Sequence, residues 1–245
     1  MAVYLCHEQP DLYHHEARIT DRRRGALVLD RSAFHPGGGG QVADVGSITT
    51  TSGELAVTSI EVERGDDGEE RWWHVLADPD LFVDDDQHVE VMIDREHRTR
   101  VASLHTASHI LNAFVFDEFE GSLVTGAQIN GDGTGRMDFD LSAIDNDRLR
   151  ALEEPVNDVI ARGVSVEAVY VDAAHAADTA GLVRSMSVAP PPTPDGRLRL
   201  IEIDGVDRQA CGGTHLSNTG EASGFRMTKI ENKGKRNRRV RFALP

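Results

Sequence analysis

Val101-Ala102-Ser103-Leu104-His105-Thr106-Ala107-Ser108-His109-Ile110-Leu111-Asn112-Ala113-Phe114 reads as an apolar helix that carries two histidines. Residues four apart stack on one helix face, so His105 and His109 point the same way. Alone, each is more simply a satisfied core residue. The pair gains meaning from Cys211-Gly212-Gly213-Thr214-His215, much further along the chain. A thiolate and a third imidazole beside paired glycines complete a nitrogen–sulfur set that selects zinc over magnesium or calcium. Four protein ligands would close a structural tetrahedron, whereas three would leave a position for water or substrate, and His215 decides between them. The helical His-x-x-x-His also resembles that of zinc metalloproteases. Thr106 stands where those enzymes carry a glutamate base, which argues against that chemistry.

Outward from this core, residues 1–93 read as short strands broken by Gly and Asp: 26–29, 45–48, 55–57, 60–62, 72–76 and 88–93. Even spacing of many short runs predicts a small β-barrel. Phe34-His35-Pro36 leads into Gly37-Gly38-Gly39-Gly40-Gln41. Such a run lets backbone approach a ligand closely. No Lys-Ser/Thr follows, so it is not a nucleotide P-loop, and it reads as a substrate-contacting loop. From Asp94 the second domain, 94–245, opens with the histidine helix. Strands at 121–129 and 136–141 flank the turn at 130–133. A long amphipathic helix follows over about 142–161, capped by Ser142 or Asp145 and kinked at Pro155. Further strands are expected at 164–171 and 197–203, on either side of a proline-rich loop at 190–196. Mixed helices and strands give an α+β fold.

The chain has 245 residues and a net charge of −15, with 41 acids against 26 bases. An acidic surface with only three lysines suits either a salt-adapted cytosol or a protein simply kept soluble by its charge. No apolar run is long enough to span a bilayer, and the N-terminus lacks a secretory pattern. The two cysteines, Cys6 and Cys211, make no disulfide framework. A cytoplasmic location is the simplest expectation. All three lysines, Lys229, Lys233 and Lys235, lie in the basic C-terminal stretch with Arg226, Arg236, Arg238, Arg239 and Arg241. A basic end on an acidic body is an electrostatic footprint for a polyanion. Val240, Phe242 and Leu244 alternate with those bases like a half-buried strand.

His105-Thr-Ala-Ser-His109 with Cys211-Gly-Gly-Thr-His215 resembles the editing domain of alanyl-tRNA synthetases and its free-standing relatives, the AlaX trans-editing proteins. Phe34-His-Pro-Gly-Gly-Gly-Gly-Gln41, Arg136-Met-Asp-Phe-Asp140, Glu154-Pro-Val-Asn157, Thr219-Gly-Glu-Ala-Ser-Gly224, Lys229-Ile230 and Asn237-Arg-Arg-Val240 extend the likeness from about residue 25 onward. The resemblance implies the medium-length class: a barrel followed by an α+β editing domain of the threonyl/alanyl-tRNA synthetase type, without a C-terminal extension. It implies a hydrolase that deacylates tRNA(Ala) wrongly charged with serine, or in some members glycine, with one zinc per chain. On that likeness His105, His109, Cys211 and His215 hold the metal. Gln41 contacts the serine hydroxyl, with Thr106 as a second candidate, and Asp207 orients a metal ligand. Gly38, Gly39 and Gly40 approach the substrate, and Lys233, Lys235, Arg238 and Arg239 hold acceptor-end phosphates. The partner is tRNA(Ala), with no membrane and no protein partner indicated. The rival expectation is a non-catalytic tRNA- or RNA-binding module with a structural zinc.

Overall fold

The computed structural model describes residues 3–65, 69–83, 88–141, 145–173, 181–186, 193 and 196–245. They form two compact units: Met1–Gly38 with Val42–Thr99, and Gly39–Gln41 with Arg100–Pro245.

Alternating apolar and polar residues build the first unit. Its strands are β1 (Val3–Tyr4), β2 (His14–Arg23), β3 (Ala26–Leu29), β4 (Arg31–Ser32), β5 (Gly46–Thr50), β6 (Gly53–Arg64), β7 (Glu70–Leu76) and β8 (His88–Ile93). Six of them close a barrel in the order β2-β3-β7-β6-β5-β8, so the sheet has no open edge there. In β8, Val89, Val91 and Ile93 are buried while their neighbours face out, the period-2 pattern of a strand with one wet face. Ile48, Leu27, Leu29 and Phe34 join them in the core. The two short runs expected at 55–57 and 60–62 are one strand, β6, whose pairing with β7 shifts between Val57 and Ser59. A bulge accounts for this, since one extra residue interrupts alternation without ending a strand. Arg98 and Asp44 form an ion pair with both side chains almost fully buried. Arg98 also donates to the carbonyls of Ala33 (2.5 Å) and Pro10 (3.1 Å), which satisfies a guanidinium that could not be buried alone.

Helix α1 (Arg95–Glu118) starts where Asp94 Oδ1 accepts the His97 N–H at 2.9 Å, an N-terminal cap. From Val101 to Ala113 every residue except His105 is buried, so this is an interior helix rather than a surface one. The second unit continues with β9 (Val124–Ile129), β10 (Thr134–Asp140), α2 (Asn146–Ala151), α3 (Glu153–Arg162), β11 (Val166–Asp172), β12 (Arg197–Ile203), β13 (Asp207–Ala210), β14 (Arg226–Asn232) and β15 (Asn237–Ala243). One sheet has the order β14-β15-β10-β9 and the other β11-β12-β13. Met137, Phe139, Val240 and Phe242 pack on the buried face of the first sheet, and Leu200, Ile201 and Ile203 are buried on the second.

The single helix expected over 142–161 is two helices that meet at Leu152. Pro155 has no N–H for the Ala151 carbonyl, so the ladder breaks there, and the proline sits in the first turn of α3, where no donor is required. Asp145 caps α2 by accepting from the Asp147 and Arg148 amides. Ser142 and Ile144 lie outside the described residues, as does most of the proline-rich loop. Among the described residues no helix is long and apolar enough to cross a membrane.

Candidate metal centre

Three pieces of the second unit converge. Helix α1 presents His105 and His109 from successive turns, the chain leaving β13 brings Cys211 and His215, and the end of the glycine run delivers Gln41. Among the described residues His105, His109, Cys211 and His215 form one group whose donor atoms all lie within 4.8 Å of one another. Cys211 Sγ is 3.5 Å from His105 Nε2 and 3.3 Å from His215 Nε2. A tetrahedral zinc with bonds of about 2.3 Å to sulfur and 2.05 Å to nitrogen separates those two atoms by about 3.6 Å. Both separations therefore fit that ion.

Each imidazole has a side-chain oxygen beside its other nitrogen. His105 Nδ1 donates to Gln41 Oε1 at 2.7 Å. His109 Nδ1 lies 3.3 Å from Asp207 Oδ2, and His215 Nδ1 lies 3.2 Å from Thr106 Oγ1. This arrangement leaves Nε2 for the common centre, and partners of this kind fix tautomer and ring orientation. Gln41 and Thr106, expected at the serine hydroxyl, and Asp207, expected to orient a metal ligand, are thus the three side chains that stand at the ring nitrogens. Each is itself pinned. Gln41 Oε1 also accepts the Thr214 amide (3.0 Å), and Gln41 Nε2 donates to Thr214 Oγ1 (2.9 Å). Thr106 Oγ1 accepts the Leu216 amide (3.2 Å). Asp207, with its side chain fully buried, receives Gln209 Nε2 at 2.5 Å and faces Arg184 Nη1 at 3.1 Å.

Charge follows from this packing. Burial opposes ionisation of Cys211, yet His105, His215 and His109 outweigh it and bring the thiol well below its ordinary pKa. Burial likewise disfavours a charged His109, but the Cys211 thiolate and Asp207 raise its pKa to about 9. Burial and the neighbouring His105 hold His215 well below its usual value. A buried thiolate among imidazoles is the ionised state that a soft divalent metal takes.

Two glycines set the approach distances. Gly40 has φ +94°, and a β-carbon there would stand 2.5 Å from the Ala127 carbonyl oxygen. Its own carbonyl accepts the Ile129 amide at 2.7 Å, which fastens the loop to the end of β9. A β-carbon on Gly213 would lie 2.2 Å from His105 Cε1 and 2.5 Å from Gln41 Oε1. Only glycine fits that close a passage.

The basic end divides. Lys233 and Lys235 are exposed at the turn between β14 and β15. Arg239 pairs with Asp138 through two bonds of 2.7 and 2.8 Å. Arg238 departs from expectation: it shares the inward face of β15 with Val240 and Phe242, is 6% exposed, and bonds the Gly234 and Asn237 carbonyls. Strand alternation turns it away from solvent. Arg199 was not anticipated. It is buried on β12 and donates to the carbonyls of Cys211 (2.7 Å) and Gly213 (3.1 Å), bracing the ligand loop. The available signal was an arginine inside a strongly apolar strand. Thr214, between the ligands Cys211 and His215, braces Gln41 through its amide and its hydroxyl.

Residues 198–241 match the family described as Threonyl and Alanyl tRNA synthetase second additional domain. The alanyl-tRNA editing protein AlaX-M of Methanosarcina acetivorans is 35% identical over 230 residues, covering 93% of this chain and 91% of that protein. The AlaX-M of Saccharolobus solfataricus is 33% identical over 94% of this chain and 93% of its own length. The alanine–tRNA ligase of Streptococcus thermophilus is 31% identical over 87% of this chain but only 24% of the ligase. With the barrel, the paired sheets and the His/Cys cluster already in place, likeness of this extent makes the chain a member of the AlaX-M family of alanyl-tRNA editing proteins.

Proposed function

We propose that the protein is an aminoacyl-tRNA deacylase that acts in trans on mischarged tRNA(Ala), chiefly seryl-tRNA(Ala), with glycyl-tRNA(Ala) as a second substrate. The observation that carries this reading is the donor cluster in a family member: three rings whose Nδ1 atoms stand beside side-chain oxygens, with the thiolate facing the Nε2 atoms of His105 and His215. His105, His109, Cys211 and His215 would hold one zinc. Such an ion supplies Lewis-acid polarisation of an ester carbonyl and acidification of water. The chain's own residues do the rest. Asp207, Gln41 and Thr106 keep the rings oriented, and Arg199 keeps the Cys211–Gly213 backbone in place. Lys233, Lys235 and Arg239 would meet phosphates of the acceptor end.

Specificity has a physical basis. A pocket that merely accommodates a hydroxymethyl group discriminates poorly against methyl, whereas one that hydrogen-bonds the hydroxyl leaves polar groups unpaired when alanine binds. We assign the hydroxyl contact to Gln41, whose amide stands beside His105, with Thr106 as the second candidate. The rival reading, an RNA-binding module with structural zinc, draws on the four donors, which can close a tetrahedron without a substrate position. Release of serine from Ser-tRNA(Ala), measured beside Gly- and Ala-tRNA(Ala), with and without a zinc chelator, separates the two. Zinc-dependent release of serine but not alanine is expected, and absence of turnover on all three esters leaves the binding module. Gln41→Ala should narrow the preference for serine over alanine by about tenfold or more, and an unchanged ratio removes that assignment.

A further inference from the structure

We propose that the outward face of the sheet β14-β15-β10-β9 is a docking surface for RNA phosphates, with Arg136 and Arg241 at its centre. The proposal rests on the tRNA reading above and adds where the nucleic-acid backbone is held. Strand pairing sets Gln128, Arg136, Arg241 and Lys229 side by side in one rung across the four strands. The next rung is Gly126, Asp138, Arg239 and Glu231. Like charges directly opposite one another in a sheet repel, so three adjacent cations are unfavourable unless anions face them.

The two carboxylates of the second rung do not supply enough charge. Asp138 is shared by Arg136 (2.7 Å) and Arg239 (2.7 Å), and Glu231 by Lys229 (3.0 Å) and Arg241 (2.7 Å). Among the described residues each pair of cations therefore keeps one uncompensated charge, and Arg226 stands exposed at the start of β14. This excess sits on a chain of net charge −15. A cleft of about 310 Å³ lies on the same rung, and Arg136, Arg241, Gln128, Asn130, Thr134 and Thr228 supply its polar lining. Among the described residues no carboxylate lines it. Guanidiniums with amide and hydroxyl donors are the groups that grip phosphate. The strand that carries Gln128 also carries Ile129, whose amide holds the Gly40 carbonyl next to Gln41. A surface of this width suits a polymer backbone better than a free nucleotide.

The test is the affinity for uncharged tRNA(Ala) between about 50 and 200 mM KCl. The arms are the wild type, Arg136→Gln/Arg241→Gln, Arg136→Lys/Arg241→Lys and, as a control on α2, Arg150→Gln. The glutamine pair should lose about tenfold in affinity and lower the salt slope by about 1.5, the value for two phosphate contacts. The lysine pair should keep the slope, and R150Q should leave both unchanged. A wild-type slope in the glutamine pair, at an unaltered melting temperature, overturns the proposal. So does inorganic phosphate competing as well as tRNA at equal phosphate. Should the glutamine pair melt early, Glu231→Gln frees Arg241 and should tighten tRNA binding about threefold, and unchanged or weaker binding by that variant overturns the proposal as well. Uncharged tRNA carries no ester, so this result is independent of whether the protein deacylates.

Discussion

The barrel and the second unit both bury histidine, and they do opposite things with it. In the barrel His74 is 1% exposed and uses both nitrogens: Nδ1 meets the Leu27 carbonyl at 3.1 Å and Nε2 meets Ser32 Oγ at 2.8 Å. Burial outweighs its hydrogen bonds and lowers its pKa to about 4, so it is a neutral ring with nothing left to offer. In the second unit His105, His109 and His215 each set Nδ1 beside a side-chain oxygen and turn the other nitrogen toward the cluster. A buried histidine is structural when protein accounts for both nitrogens, and a candidate ligand when one is withheld and aimed at a thiolate. The difference lies in the neighbours, not in the residue.

The largest effect that can break this comparison is loss of the thiolate. Cys211→Ala should abolish stoichiometric zinc and cut deacylation by more than about 100-fold, because removing a ligand costs more than removing its support. A variant that stays metal-loaded and active makes the cluster as structural as His74.

Next comes acid stability in the barrel. His74 titrates near 6.5 when unfolded and at about 4 when folded, so the unfolded chain binds more protons between those values. Its stabilising contribution is complete above about pH 6.5 and is lost as pH falls toward 4, by at most about 3 kcal/mol. Burial lowers the pKa of His15 as well, which acts in the same direction. Urea unfolding of wild type and His74→Asn between pH 7 and 4 should show a flatter slope in the variant. Equal slopes would show that the ring is not a buried neutral group.

The smallest effect sharpens the comparison. Asp207→Asn keeps the shape but weakens the hold on His109 Nδ1, and zinc affinity by chelator competition should fall about tenfold with the fold intact. No change would mean that the ring needs no orienting partner.

The sequence carried much of this, unevenly. Strands such as β3 and β8 were legible because their burial alternates or is unbroken. β2 was not, since His14-His-Glu-Ala-Arg-Ile-Thr-Asp-Arg-Arg23 has only Ala17 and Ile19 as fully buried apolar positions. The break at Leu152 was half-read: proline marked a disturbance, but the orphaned carbonyl four residues earlier set its place. In the basic end, composition could not distinguish Arg238 from Arg239, because facing in or out depends on strand pairing and not on residue type.

By itself the amino-acid order determined which residue types were available and at what intervals: two imidazoles one helical turn apart, a thiol and an imidazole four residues apart, and a glycine run ending in glutamine. Those are local properties, set by backbone periodicity and side-chain chemistry. Only the tertiary structure decided that the pieces meet, that Gln41, Asp207 and Thr106 each take one ring nitrogen, and that the cations of β10, β14 and β15 share a single rung. Those outcomes depend on contacts between residues far apart in sequence, which no local pattern encodes.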